Sequence, residues 1–327
     1  MKEIQGVYRD IMEQTYKRVK GHSMRKGAKY MVVGIFANGH ILVEAVPGTG
    51  KTLTATTFGE VLDMDFGRIQ LTPDTKPKEI QMEVELKGKY DFEFKPGPIY
   101  VEYLLTDEIN RTPATTQSAI LEPMEERQLT TPELGTVILP EPFLVVSTQN
   151  PIEQEGTYPL SEAQRSRYMM KIKVEPARRA ELVEIALSDN KTPVKKLYST
   201  KDVLEIQKII DEEIDIKDDL VNKAAGVAEL TWKQYSDIAN GVFKSGVSNR
   251  GPKYLVRASK ALAAINGREF VTERDIAELL YPTYWHTVVF EEYEKDKYES
   301  IFDETMRKII SKVFPELLDE ELYYAIQ

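Results

Sequence analysis

Two short segments carry residues that could do chemistry together. In Ala45-Val46-Pro47-Gly48-Thr49-Gly50-Lys51-Thr52, the two glycines let the backbone turn its amide N–H groups into one cavity, where a triphosphate can bind. Lys51 would pair with the β- and γ-phosphates and the Thr52 hydroxyl would ligate Mg²⁺, while Pro47, Gly48, Thr49, Gly50 and Leu53 would complete the cradle. The second segment is Asp107-Glu108-Ile109-Asn110-Arg111, directly after the apolar Tyr103-Leu104-Leu105-Thr106. An acidic pair at the end of a buried strand is costly unless something cationic meets it. Asp107 is placed to partner the metal, directly or through one of its ligands, and Glu108 to orient or deprotonate an attacking water. Together the segments fit hydrolysis of ATP, with ATP and Mg²⁺ as the implied ligands. Ala45 stands where the strict phosphate-loop pattern has glycine, and alanine is the smallest substitute.

Such a site needs a strand, the loop and a helix in that order. Ile41-Leu42-Val43 reads as a short buried strand, and a helix is expected from Lys51 to about Leu62. Before them, Ile4, Val7, Ile11 and Tyr16 recur at helical spacing, and Gly39 should stop the following helix. Tyr103 to Thr106 and Phe143 to Ser147 suit central strands of a parallel sheet. Between these two runs, Thr112-Pro113 has N-cap and N1 chemistry for a helix reaching about Glu126, with Pro123 expected to kink or weaken it. Alternation from Met82 to Phe94 predicts a hairpin turning at Lys87-Gly88, and a second hairpin is expected from Gln128 to Leu139 with its turn near Leu134-Gly135. After Lys173-Val174-Glu175-Pro176 strand signals largely vanish and amphipathic helical segments follow. The expected organisation is an α/β core over 1–175, a helical lid over 176–290 and an acidic, tyrosine-rich helical tail over 291–327.

Composition narrows the class. With 327 residues, 42% hydrophobic and 29% charged, the chain can bury a substantial core and reads as globular. A net charge of -10 argues against general affinity for a polyanion, so nucleic acid is not the expected partner. The chain has no cysteine, which rules out disulfides and thiolate metal sites and fits a reducing compartment. No apolar core of a signal peptide follows Met1, and the apolar-rich stretch from Tyr30 to Val46 is interrupted by Asn38-Gly39-His40. The expectation is a cytoplasmic protein with no membrane partner. His22, His40 and His286 lack metal-site spacing, and Trp232 and Trp285 are expected in the lid core.

These residues resemble the MoxR branch of the AAA+ ATPases. Beyond the two segments, the likeness extends through Arg68-Ile69-Gln70-Leu71-Thr72-Pro73-Asp74, Phe94-Lys95-Pro96-Gly97-Pro98, Gln117-Ser118-Ala119-Ile120-Leu121-Glu122 and Met124-Glu125-Glu126-Arg127. It continues in Ser147-Thr148-Gln149-Asn150-Pro151-Ile152-Glu153-Gln154-Glu155-Gly156-Thr157-Tyr158-Pro159-Leu160 and Ser161-Glu162-Ala163-Gln164. The resemblance implies an AAA+ nucleotide-binding core with a parallel sheet and β-hairpin insertions, followed by an all-α lid. It implies that Asn150 is the sensor 1 amide, and that Val19 and Gly21 lie where the family contacts adenine. Arg167 aligns with the arginine finger that reaches a neighbouring subunit's ATP. The family's usual Leu-Asp-Arg-Phe is here Arg165-Ser166-Arg167-Tyr168, so either arginine could serve. Gly246-Val247-Ser248-Asn249-Arg250 resembles the sensor 2 segment, with Asn249 in place of proline and Arg250 as the cation that would clamp phosphates from the lid.

The resemblance further implies a homo-oligomeric ring, a hexamer, that remodels protein clients, with partners bearing a von Willebrand factor A domain. Two other functions compete. One is a DNA-remodelling AAA+ ATPase, for which the hairpin at Lys87-Gly88-Lys89 offers some basis and the acidic charge a counter-argument. The other is a nucleotide-gated scaffold with little turnover, against which Glu108 and Asn150 speak.

Overall fold

The computed structural model describes residues 2–86, 92–131, 135–150, 157–188, 192–291 and 297–315. The chain forms two compact units. One comprises Gly6–Tyr168 and Ile172–Ile206; the other comprises Gln207 onward together with Met1–Gln5 and Met169–Lys171.

In chain order the elements begin with helices α1 (Lys2–Arg18) and α2 (His22–Phe36), strand β1 (Ile41–Ala45), helix α3 (Lys51–Val61) and strand β2 (Phe66–Gln70). Helix α4 (Pro77–Gln81) leads into the hairpin β3 (Met82–Leu86) and β4 (Phe92–Pro96). Strand β5 (Tyr103–Asp107) is followed by α5 (Ala114–Ser118), α6 (Leu121–Glu126) and the hairpin β6 (Gln128–Thr131) and β7 (Gly135–Ile138). Strand β8 (Leu144–Gln149), helix α7 (Glu162–Arg165) and strand β9 (Met170–Val174) come next. The remaining elements are α8 (Arg179–Ala186), α9 (Thr200–Glu213), α10 (Asp218–Leu230), β10 (Phe243–Ser245), α11 (Gly251–Ile265), α12 (Glu273–Tyr284), β11 (Val289–Phe290) and α13 (Tyr298–Val313).

Five strands make one sheet in the order β2-β5-β8-β1-β9. Pairing of β2 with β5, β5 with β8 and β8 with β1 is parallel throughout. The registers Gln70 with Asp107, Thr106 with Ser147 and Glu44 with Gln149 bring the C-terminal ends of four strands to one edge. That edge is where open α/β sheets bind ligands. Central position explains composition: every residue of β5 and Leu144 to Thr148 of β8 are buried, so these strands carry continuous apolar runs. Leu42, Leu104, Phe143 and Val145 pack in one core with Ile109, Met124 and Tyr168 from the segments that follow the strands.

The two hairpins form as expected, in antiparallel pairs. Their turn residues, Lys87-Gly88-Lys89 and Leu134, lie outside the described residues, as do Pro151–Gly156 and the tail from 316. The single helix expected after Thr112 is instead two short ones. Pro113, not Thr112, takes the N-cap position of α5, and its side chain gives no cap. The break falls at Ala119 and Ile120, because a proline at 123 would press its ring on the carbonyl four residues back and offers that carbonyl no N–H. Pro123 then sits in the first turn of α6, where a missing N–H is harmless.

In the C-terminal unit, Leu255, Leu262, Leu279, Leu280, Phe302 and Ile309 are buried on the faces of α11, α12 and α13. Alongside these helices lies a short antiparallel ribbon of β10 and β11, which the sequence did not announce. Trp285 stacks on Tyr281 at 5.6 Å and meets Phe302 edge-on at 4.7 Å. Trp232 donates its Nε1–H to the Val247 carbonyl at 3.1 Å.

Candidate active site

Strand β1 ends at Ala45 and the chain turns through Pro47 and Gly48 into α3. Gly48 and Gly50 adopt φ of +83° and +90°, a region that favours glycine, and Gly50 is the N-cap of α3. Thr49 Oγ1 donates to the Val46 carbonyl at 3.0 Å, which braces the loop. The free N–H groups and dipole of an eleven-residue helix therefore face the end of the sheet. Lys51 opens that helix, and its Nζ donates to the Ala45 carbonyl at 2.5 Å. Partial burial lowers its pKa, against the attraction of Asp107, Glu108 and Glu44, which raises it.

Asp107 ends β5 and is 3% exposed. Its carboxylate accepts from Thr52 Oγ1 at 3.2 and 3.3 Å, from Thr148 Oγ1 at 3.1 Å and from Arg68 Nε at 2.9 Å. Arg68 Nη2 also reaches it, at 2.8 Å. The next residue, Glu108, leaves the strand in the left-handed conformation with φ +60° and ψ +49°. A non-glycine residue held there stores strain, a feature that clusters at functional sites. Its N–H donates to Thr148 Oγ1 at 3.0 Å, and its carboxylate pairs with Arg111 at 3.2 Å. Thr148 of β8 thus touches both acids. Each acid has its own arginine, Asp107 with Arg68 and Glu108 with Arg111, so the cation expected to meet the pair comes from two other residues.

The structure places the remaining candidates as follows. Asn150 follows β8, and its carbonyl accepts from Asn110 Nδ2 at 3.3 Å, which ties the two segments together. Gln117 Nε2 binds the carbonyls of Ile109, Thr112 and Tyr158 at 3.2, 3.0 and 3.0 Å, pinning the chain after Glu108. Arg167 pairs with Glu125 at 2.8 Å and donates to the Ala163 carbonyl at 2.6 Å, within its own chain. Burial lowers the pKa of Arg165, partly offset by Glu162. Val19 is buried beyond the end of α1, and Gly21, with φ +89°, is the N-cap of α2. Arg250 belongs to the C-terminal unit, at the N-cap of α11. Lys51, Thr52, Asp107 and Glu108 are therefore grouped at one sheet edge, with Asn150 attached to that group through Asn110.

Sequence reasoning gave no role to Arg68, Thr148 or Arg111, although all three lie in quoted motifs. The signal was available for Arg111, a cation three residues after an acid in the same segment, whereas the part of Arg68 rests on the pairing of β2 with β5. His40 is structural. It is 4% exposed, its Nδ1 accepts from the Val145 N–H at 3.1 Å, and its Nε2–H donates to the Met124 carbonyl at 2.7 Å.

Among the described residues no group of three or more His, Cys, Asp or Glu could hold a metal by itself. One hydroxyl and one carboxylate suit magnesium, which keeps water and phosphate ligands around few protein groups. The donor set thus fits a magnesium nucleotide. Among the described residues, no helix is long and apolar enough to cross a membrane.

The parallel sheet, the glycine loop and the acid-ended strand define a nucleoside-triphosphatase core of the AAA+ class. Residues 40–170 match the family description "ATPase family associated with various cellular activities (AAA)", and residues 236–309 match "AAA lid domain". The chain is 37% identical to Chaperone MoxR1 of Mycobacterium tuberculosis over 86% of this chain and 74% of the relative. It is 34% identical to the uncharacterized protein YeaC of Bacillus subtilis, over 86% of this chain and 87% of that one. A crystal structure of a candidate ATPase from Cytophaga hutchinsonii superposes with a TM-score of 0.82 at 33% identity, covering 95% of this chain and 96% of the other. The chain belongs to the MoxR family of AAA+ ATPases.

Proposed function

We propose that this protein hydrolyses ATP with Mg²⁺ as a ring of identical subunits, a hexamer, and uses the cycle to remodel protein clients in the cytoplasm. The observation that carries the hydrolytic reading is the meeting of Thr52 and Asp107 at 3.2 Å, with Glu108 the next residue along. One group can hold a metal, and the other is placed to act on water. Gly48 and Gly50 shape the loop for a triphosphate, and Lys51 pairs with its terminal phosphates. Thr52 and Asp107 would hold a magnesium ion, which when bound would supply positive charge at the phosphate oxygens. Glu108 orients the attacking water and accepts its proton. Asn150 steadies that water or the terminal phosphate. Arg167, or Arg165, serves the neighbour's site, and Arg250 acts from the lid, the helical region after 175. Val19 and Gly21 border the adenine. The name of the mycobacterial relative supports the chaperone reading. Family membership points to a client or partner with a von Willebrand factor A domain.

Phosphate release tests the reading. Lys51→Ala should abolish nucleotide binding, whereas Glu108→Gln should bind ATP and lose about a hundred-fold or more in turnover. Wild-type turnover by Glu108→Gln would sink the assignment.

A further inference from the structure

We propose that Arg68 is the resident counter-ion of Asp107 and competes with a divalent cation for its Oδ2. The proposal rests on reading Asp107 as the metal-binding carboxylate, and it adds a residue that regulates that site. A buried carboxylate must be satisfied by hydrogen bonds and by a positive charge. On Asp107, Oδ1 accepts the Thr148 hydroxyl and shares that of Thr52, whereas Oδ2 takes both Nε and Nη2 of Arg68, at 2.9 and 2.8 Å. The nearby ammonium of Lys51 donates to the Ala45 carbonyl instead. The charge of Asp107 is thus met by an arginine from the neighbouring strand.

The two partners differ in freedom. The Asp107 side chain is 4% exposed, whereas that of Arg68 is 48% exposed and stands on β2, one of the two edge strands of the sheet. A divalent cation that binds Asp107, directly or through a water, needs lone pairs that the guanidinium now holds. Two positive groups cannot share one oxygen without repulsion. The exposed partner is the one that can yield, by swinging into solvent where its charge is hydrated. Arg68 therefore keeps the carboxylate oriented and neutralised while no metal is present, and holds metal affinity down until phosphate oxygens add their own ligands.

The test is a Mn²⁺ titration of nucleotide-free protein, followed by electron paramagnetic resonance, with folding checked by circular dichroism. Arg68→Gln, which keeps a donor and removes the charge, should bind Mn²⁺ about ten-fold more tightly than wild type. Arg68→Lys keeps the charge but loses the paired N–H groups, and should gain about three-fold. If the glutamine variant fails to fold, the lysine variant decides. Adding Asp107→Asn to Arg68→Gln should erase the gain. Unchanged or weaker affinity in the arginine variants, no binding by any of them at millimolar metal, or a gain that survives Asp107→Asn overturns the proposal. Binding of a fluorescent ADP analogue to the wild type is followed separately. Its failure would remove the nucleotide reading, while the nucleotide-free titration would still decide Arg68.

Discussion

The site's two acids are treated differently by their surroundings. Asp107 is enclosed, accepts two hydroxyls and one guanidinium, and so has a single orientation. Glu108 is displaced from the strand by its left-handed backbone, is more open, and is bound through its carboxylate to Arg111 at 3.2 Å. That contrast suits the roles proposed for them, a fixed metal carboxylate and a more open base. Nearby, His40 shows what a histidine does when it is not chemical: it joins β8 to the end of α6 through both ring nitrogens. His40→Leu should leave the Val145 N–H and the Met124 carbonyl buried without partners. A loss of about 1–3 kcal/mol in urea denaturation is expected, with unchanged slope. A midpoint equal to wild type would show that His40 is dispensable.

At the level of elements, β2 is closely constrained by its neighbour. A Cβ on Gly67 would lie 2.3 Å from the Pro98 carbonyl oxygen, so the chain after β4 packs directly on the bare backbone. Gly67→Ala should destabilise the protein by about 1–3 kcal/mol or more, since backbone must shift. Thermal unfolding checks this, and a melting temperature at or above wild type would contradict it. The same strand marks the limit of what was legible beforehand. The central strands β5 and β8 were readable because burial on both faces demands continuous apolar runs. The hairpins were readable because one polar face makes residues alternate. An edge strand such as Phe66–Gln70 obeys neither rule, and Arg68 on it looks like any surface arginine until the register with β5 is known. The expectation that Pro123 would kink or weaken the helix after Pro113 falls short of the outcome: the helix is broken outright, four residues before the proline and at the carbonyl its ring would crowd. The grouping of Lys51, Thr52, Asp107 and Glu108 was legible, because their types and order restrict the chemistry. The part played by Arg68 was not, because it depends on which strands lie side by side.

For the whole molecule, the question is whether a site is complete within one chain. In this chain Arg167 is engaged by Glu125 and the Ala163 carbonyl, so service to another subunit requires those contacts to be exchanged. Mixing Arg167→Ala with Lys51→Ala protein should recover part of the phosphate release that each lacks alone, because the two defects fall in different partners of a shared site. Absence of recovery at every mixing ratio would exclude Arg167 as a residue acting across subunits. A partial gain from Arg165→Ala mixed in the same way would assign the role to Arg165 instead.

One property of the C-terminal unit reaches beyond packing. The chain's two tryptophans, Trp232 and Trp285, both lie in it, the first hydrogen-bonded to Val247 three residues before Arg250. Light absorbed at the red edge of the protein spectrum is therefore re-emitted from the C-terminal unit alone. With no cysteine in the sequence, a single engineered thiol elsewhere would accept an energy-transfer dye without competition. The molecule comes with its donor fluorophores already confined to one of its two units.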